Sequence, residues 1–249
     1  MVRAISGVLP KGLRAAITTA GRDPARPRSD TRLRLMAAAE QLFGDKGIHA
    51  VTLKEINGAA GQRNESALHY HFGSKTALVE AILLYRATEI DKDRSERVEA
   101  LYKSGDEEKL SAILRAAFLP MLDLLIHEEG VRFMRFLAQV LNDPDFDLPM
   151  MVARGQLPGV NRVNTLIIAS LGDIPPEISI QRQRFLIEMI VSSAAIWTRH
   201  HNAVAETAER ELFVSTLFDS IEGFLKAPVS KESLEKLKRV VSRREKKPA

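Results

Sequence analysis

From Asp30 onward the apolar residues of this chain recur every three or four positions, with no strand-like alternation. A period near 3.6 buries one face of a helix, whereas a half-buried strand needs a period of two. The pattern confines the chain to an all-α fold. In TRLRLMAAAEQLFGDKG, Leu35, Ala38, Ala39, Leu42 and Phe43 share one face, and Gly44 or Gly47 supplies a stop. Further helices are expected over 75–103, 106–127, 130–142, 149–171 (interrupted near 155–159), 176–203 and 207–226. A basic amphipathic helix closes the chain, supported by Glu232–Lys236 and Glu235–Arg239 at i,i+4 spacing.

Two shorter elements stand between the first long helix and the second. Thr52-Leu53-Lys54-Glu55 is a capping box, in which the Thr52 hydroxyl accepts from the amide three residues on and Glu55 reaches back to the Thr52 amide. The helix it starts runs to about Ala60, and Gly61 stops it. Asn64 can cap a second short helix, Glu65 to Phe72, with Gly73 at its C-terminal stop. Ser74 can cap the long helix that follows, although Ala77 stands where a full capping box needs Glu.

Charge is distributed unevenly. Residues 1–35 carry eight Lys/Arg against two acids, and residues 226–249 carry nine against three, so the 36–225 body is acidic although the chain is +4 overall. Basic ends on an acidic body point to nucleic acid or an anionic surface, or are simply solvated tails. The first 29 residues, with three Pro, three Gly and six basic residues, read as a flexible basic arm. The chain contains no Cys, which excludes disulfides, thiol chemistry and Cys-based zinc sites and fits a cytoplasmic setting. The longest apolar run, Leu186 to Trp197, is short of a membrane span, so no membrane partner is expected.

The segment GQRNESALHYHFGSK, Gly61 to Lys75, is dense in hydrogen-bonding side chains. His69 and His71 lie two apart, which on a helix turns them to opposite sides, whereas a helical zinc pair needs i,i+4. No metal is expected, and no nucleophile elbow, phosphate loop or carboxylate pair marks catalysis or a cofactor site. Two short helices around a tight turn, the second rich in donors and acceptors, suit a helix-turn-helix. Small Ser66 and Ala67 let the backbone approach DNA, Arg63 and Asn64 suit base edges, and Tyr70, His71 and Lys75 suit phosphates. Leu68 and Phe72 would anchor the reader to Leu42, Phe43, Leu53 and Ile56.

The run AAAEQLF, Gly47, VTLKEINGAAG and SALHYHFGSK, in that order, resembles the DNA-binding domain of TetR-family transcriptional regulators over about residues 33–83. That resemblance implies a three-helix head at 30–80 and a larger effector-binding and dimerisation domain at 81–228, with a basic arm at 1–29 and a basic tail at 229–249. It implies a homodimer on a pseudo-palindromic double-stranded operator, most often a repressor released by a small-molecule effector; the alternative is a constitutive or architectural DNA-binding dimer. Thr52 and Lys75 fall on the family's backbone-contact positions, and Gln62, Arg63, Asn64, Ser66, Ala67, His69, Tyr70 and His71 fall in or beside its reader helix. Two places depart from the pattern: one extra residue lies around Gln62–Asn64, and His69 takes a slot usually held by Tyr, with Tyr70 one position later.

In the larger domain, Phe118, Met121, Phe133, Met134, Phe136, Trp197 and His200 are candidates for a pocket taking an apolar or amphipathic effector, or are plain core. His127, Arg132, Arg135, Asn161 and Asn164 are candidate polar anchors. By the family's pattern the last two long helices pair across the dimer. Ile187, Ile190, Val191, Ala194 and Ala195 on one, and Leu212, Leu217, Phe218 and Ile221 on the other, supply apolar faces that serve either the dimer or the internal core. Arg26, Arg28, Arg32 and Arg34 are placed to reach phosphates or the minor groove.

Overall fold

Helices expected from periodicity are present, and their ends follow local chemistry. A computed structural model describes residues 28–245 except Arg63, Glu65, Pro149, Met151, Ala153, Arg154 and 202–207, so the arm expected over 1–29 falls almost wholly outside the described residues. The elements are α1 (Arg28–Lys46), α2 (Leu53–Ala59), α3 (Ala67–Phe72), α4 (Lys75–Ser104), α5 (Leu110–Leu122), α6 (Glu128–Asn142), α7 (Pro158–Ser170), α8 (Pro176–His200), α9 (Ala208–Lys226) and α10 (Lys231–Glu245). A 3-10 turn, Asp123–Ile126, joins α5 to α6. The single helix expected over 106–127 thus ends early. Pro120 lies in its last turn, withholds an N–H from the ladder, and the chain tightens into the 3-10 turn.

Gly47, at φ +97°, closes α1 by donating its N–H to the Phe43 carbonyl at 2.9 Å. Gly44 has another task. A Cβ there would stand 2.7 Å from the Arg132 carbonyl oxygen and 2.9 Å from the Arg132 Cβ, so its lack of a side chain lets α1 lie directly on α6.

The long helix α1, the short helices α2 and α3 and the start of α4 make the head. Phe43 of α1, Ile56 of α2, Leu68 of α3 and Leu78 of α4 are fully buried together, with Leu42, Leu53 and Phe72 partly covered around them. The remaining long helices form the body, with α6 between α1 and α8 and with α4, α5 and α7 packed on one another. Asp91 of α4 ties that second group: its carboxylate accepts from the Gly159 and Val160 amides at the start of α7, at 2.8 and 2.9 Å, and from Arg94, which also donates to the Ala117 carbonyl of α5.

Head and body meet along a packed seam. The rings of Phe43 and Phe136 stack at 5.7 Å and 17°. Gln139 of α6 donates to the Phe43 carbonyl at 3.0 Å and accepts from the Ile48 amide at 2.9 Å, satisfying backbone groups left over where α1 ends. Buried Glu40 of α1 pairs with buried Arg86 of α4 through both carboxylate oxygens, and the guanidinium lies 5.5 Å from the Phe133 ring centroid. Burial works against the Arg86 charge, but the Glu40 carboxylate overrides it and raises the pKa above the usual arginine value.

Of the apolar positions considered for the dimer, Ile190, Val191, Ala194, Ala195, Leu217, Phe218 and Ile221 lie inside the single-chain core, while Leu212 is 68% exposed. The uncovered apolar residues of α8 are instead Ile180, Phe185 and Ile196.

Removing one partner of the seam pair leaves a buried charge uncompensated. Arg86→Met should lower unfolding stability by about 3–5 kcal/mol in a urea titration, and Glu40→Leu added to it should recover most of the loss. A single variant as stable as the parent would show that the pair carries no structural weight.

Candidate nucleic-acid interface

The interface begins at the N-terminus of α2, where both halves of the capping box form. The Thr52 Oγ1 accepts from the Glu55 amide at 3.2 Å, and the Thr52 amide donates to Glu55 Oε2 at 2.8 Å. Lys46 donates to the other Glu55 oxygen at 2.9 Å. The Thr52 amide bond, followed by that from Lys46, holds the Glu55 carboxyl at about 2, against an ordinary 4.5. Thr52 itself stays exposed.

The turn after α2 is longer than a tight helix-turn-helix connection, and α3 starts at Ala67 rather than at Glu65. Asn64 explains the shift. Its Oδ1 accepts from the Ser66 amide at 2.9 Å, and its carbonyl accepts from Ala67, which holds the chain in a turn for two further residues. This bond takes up one lone pair of Oδ1 and aligns the side chain along the turn. Gln62 also turns inward, donating to the Ala60 carbonyl at 3.3 Å. Arg63 lies outside the described residues.

Along α3, Leu68 is the buried anchor and the opposite side is polar. Ser66, His69 and Tyr70 are exposed, Tyr70 at 66%, while Ala67 and His71 are half-buried. The Tyr70 and His71 rings meet edge to face at 5.2 Å. The Nδ1 of His69 lies 2.9 Å from the Gly73 carbonyl, a geometry that needs the proton on Nδ1 and fastens the end of α3. Gly73 ends the helix at φ +76°. Ser74 then caps α4 by accepting from the Ala77 amide at 3.0 Å.

Lys75 crosses back to α2. Its ammonium donates to the Val51 carbonyl at 2.6 Å, just ahead of Thr52, and stands 5.7 Å from the Phe43 ring centroid. Burial lowers its pKa below the usual lysine value, with Glu55 opposing. Arg32 of α1 lies over Phe72 at 5.0 Å, and Arg34 is held by Thr31 and Asp30. Thr52, Asn64, Ser66, His69, Tyr70 and Lys75 thus fall around one connected motif, α2, turn and α3.

Of the residues considered for an effector pocket, Met121, Phe133, Met134 and Phe136 share one core cluster with Phe118 packed against it, and Trp197 and His200 lie apart from them. Phe133, Met134 and Phe136 are buried in the core of the molecule, and Phe136 reaches the seam with α1. Met121 is buried and Phe118 partly buried beside the Val98–Val163 cluster. Trp197 is elsewhere, stacked between His201 at 4.4 Å and Phe213 at 5.1 Å in an open groove between α8 and α9, and His200 is exposed. Arg135 binds Thr198 and Arg132 pairs with Asp45 and Glu128, while the Nε2 of His127 is buried without a partner. The seam residues Glu40, Arg86 and Gln139 were not among the expected positions. Glu40 had a signal: it falls four after Met36 and three before Phe43, on the apolar face of α1.

Residues 35–82 match the family model described as bacterial regulatory proteins, tetR family. The chain is 34% identical over 107 residues to the HTH-type transcriptional activator FasR of Mycolicibacterium smegmatis, a match covering 43% of this chain and 46% of that protein. It therefore spans under half the length of that curated relative. A putative TetR-family transcription regulator from Shewanella sp. PV-4 superposes with TM-score 0.56 at 16% identity, covering 76% of this chain and 97% of the other. A putative TetR-family regulator from Rhodococcus sp. gives 0.50 at 17%, covering 78% and 98%. At such identities the likeness concerns the fold.

Because Glu55 is held at about 2 in the folded chain and near 4.5 when unfolded, its contribution is complete above pH 4.5 and is lost as pH falls toward 2. The urea midpoint of the parent should drop more steeply across that window than the midpoint of Glu55→Gln. Parallel curves would remove the carboxylate from the stability of α2.

Proposed function

We propose, from the match of residues 35–82 to the TetR-family model, that this chain is a TetR-family transcriptional regulator that binds a pseudo-palindromic operator as a homodimer and is released by a small-molecule effector. The observation that carries the reading is the exposed polar cluster on α2, the turn and α3, backed by a buried Leu68 that fixes the reader on the head. Ser66, Ala67 and Tyr70 are the proposed groove residues, with Arg63 and Gln62 at the entry. Thr52, His71 and Lys75 serve the backbone. His69 and Asn64 shape the two ends of α3 through their bonds to Gly73 and Ser66 and reach DNA with their remaining polar atoms.

One reader helix of six residues touches few bases, so two are needed, with centres about 34–36 Å apart on the duplex. The dimer is supported by Phe185 and Ile196, exposed at 53% and 54%, and by the groove of about 460 Å³ lined by Trp197, Leu212, Phe213 and Thr216. Apolar surface of this kind gains by being covered. An effector acts through α6, because that helix holds α1 on one side and α8 on the other. Its leverage is bounded by its difference in affinity for the bound and released states.

Release by an effector makes the chain a repressor. A second reading, favoured by the printed name of the FasR relative, is an activator built on the same operator-bound dimer. Transcription from a promoter carrying the selected operator separates the two: output rises on adding effector in the first case and falls in the second.

Lys75→Ala should weaken binding to every duplex alike and flatten the plot of log affinity against log salt by about two units per dimer, about one per phosphate contact. An unchanged slope would leave Lys75 with Val51 alone. Screening small molecules by thermal shift should find a chemical class that raises the melting temperature and lowers operator affinity together. Failure of every class would favour a constitutive DNA-binding dimer.

A further inference from the structure

The helix α10 has no packed interface with any other described helix. Its sequence, KESLEKLKRVVSRRE, sets six basic residues against three acids, and Leu234, Leu237 and Val241 form a stripe at spacings of three and four. Leu234 is exposed, and Leu237 and Val241 are half-covered. Ser230 accepts from the Ser233 amide at 3.1 Å and Lys236 pairs with Glu232, but a fifteen-residue helix held only by such local bonds is marginal in water. The stripe calls for a partner.

Its point of departure argues against the operator. The last turn of α9 is fastened to the early part of α8 by the bond from Arg182 to the Leu225 carbonyl. The far end of α8 is fastened to α6 by Arg135 and Thr198, and α6 carries the head. Sixteen residues of α8, roughly 24 Å, separate those two attachments. So α10 leaves from the end of the body remote from α3.

A complementary surface lies on α9. Glu209, Leu212 and Asp219 are exposed within about a quarter turn of one another on its surface, and Glu209 and Leu212 line the groove floored by Trp197 and Phe213. The surface is acidic and apolar where α10 is basic and apolar. A chain's own α10 starts from the opposite end of that α9, after only residues 227–230, and has no extensive packing on it.

We infer that α10 docks on a second copy of this chain, with Lys236 and Lys238, which flank the Leu234–Leu237–Val241 stripe on either side, facing Glu209 and Asp219 of that copy's α9 and the stripe covering Leu212. The inference rests on the homodimer proposed above. By two-fold symmetry it adds two identical contacts and braces the bundle from outside.

Amide hydrogen exchange on the full chain, above and below its dimer dissociation constant, tests this. Amides of 231–245 should be protected in the dimer and lose protection on dilution, together with those of 209–220. A chain ending at Ala227, and separately Leu237→Asp, should dimerise at least tenfold more weakly at low salt, keep the helicity of α1–α9, and differ less from the parent at high salt. Unprotected 231–245 amides in a proven dimer, or protection that appears only with duplex or anionic vesicles, would overturn the docking. So would a dimer unchanged by both variants. A full chain monomeric at every concentration would instead remove the dimer and the docking with it.

Discussion

The contact between α1 and α6 determines what the rest of the molecule can do. Gly44 lets the two backbones approach, Phe43 stacks on Phe136, and Gln139 satisfies the loose backbone groups at the end of α1. Close-packed interiors move between discrete arrangements and do not deform smoothly. The head is therefore held in a defined position on the body, and α2 and α3 inherit that position because α2 packs on α1, and α3 packs on α2 and α4. In the dimer proposed through α8 and α9, the distance between the two α3 helices would be set through this seam.

Polar groups are used economically around it. Glu40 and Arg86 are costly to bury apart and satisfy each other when buried together. Glu129 nearby has its carboxyl pushed up, first by burial, with the Arg86 charge opposing. Around α2 and α3 the same economy appears at smaller scale: Lys75 steadies the chain ahead of the capping box, and His69 fastens the end of a helix too short to hold itself. Holding the short elements rigid would lower the entropy lost in the proposed contact with DNA.

Much of this was legible in the sequence, and the parts that were not have physical reasons. Long amphipathic helices, the Thr52–Glu55 box, the Ser74 cap and the buried Leu68 follow from period and local hydrogen-bond chemistry, which one sequence displays directly. Gly44 reads as a stop because local rules see only its conformational freedom, while its use is a close approach to Arg132, distant in sequence. Asn64 reads as the N-cap of a helix from Glu65, but its side chain holds a turn instead, and α3 starts at Ala67 with Ser66 at the N-cap. Helical spacing also cannot tell which of two neighbours an apolar residue faces. That is why Phe133 and Phe136 looked equally suited to a ligand, and why Ile190 and Val191 looked equally suited to a partner.

The central claim is that two α2–turn–α3 heads, held by their seams in one dimer, read one pseudo-palindromic duplex. Selection of random double-stranded DNA with the purified chain tests it most directly. The account predicts enrichment of an inverted repeat whose half-site centres lie about 34–36 Å, or a multiple of that, apart. Enrichment of a single unrepeated site, or of no sequence at all, would contradict it.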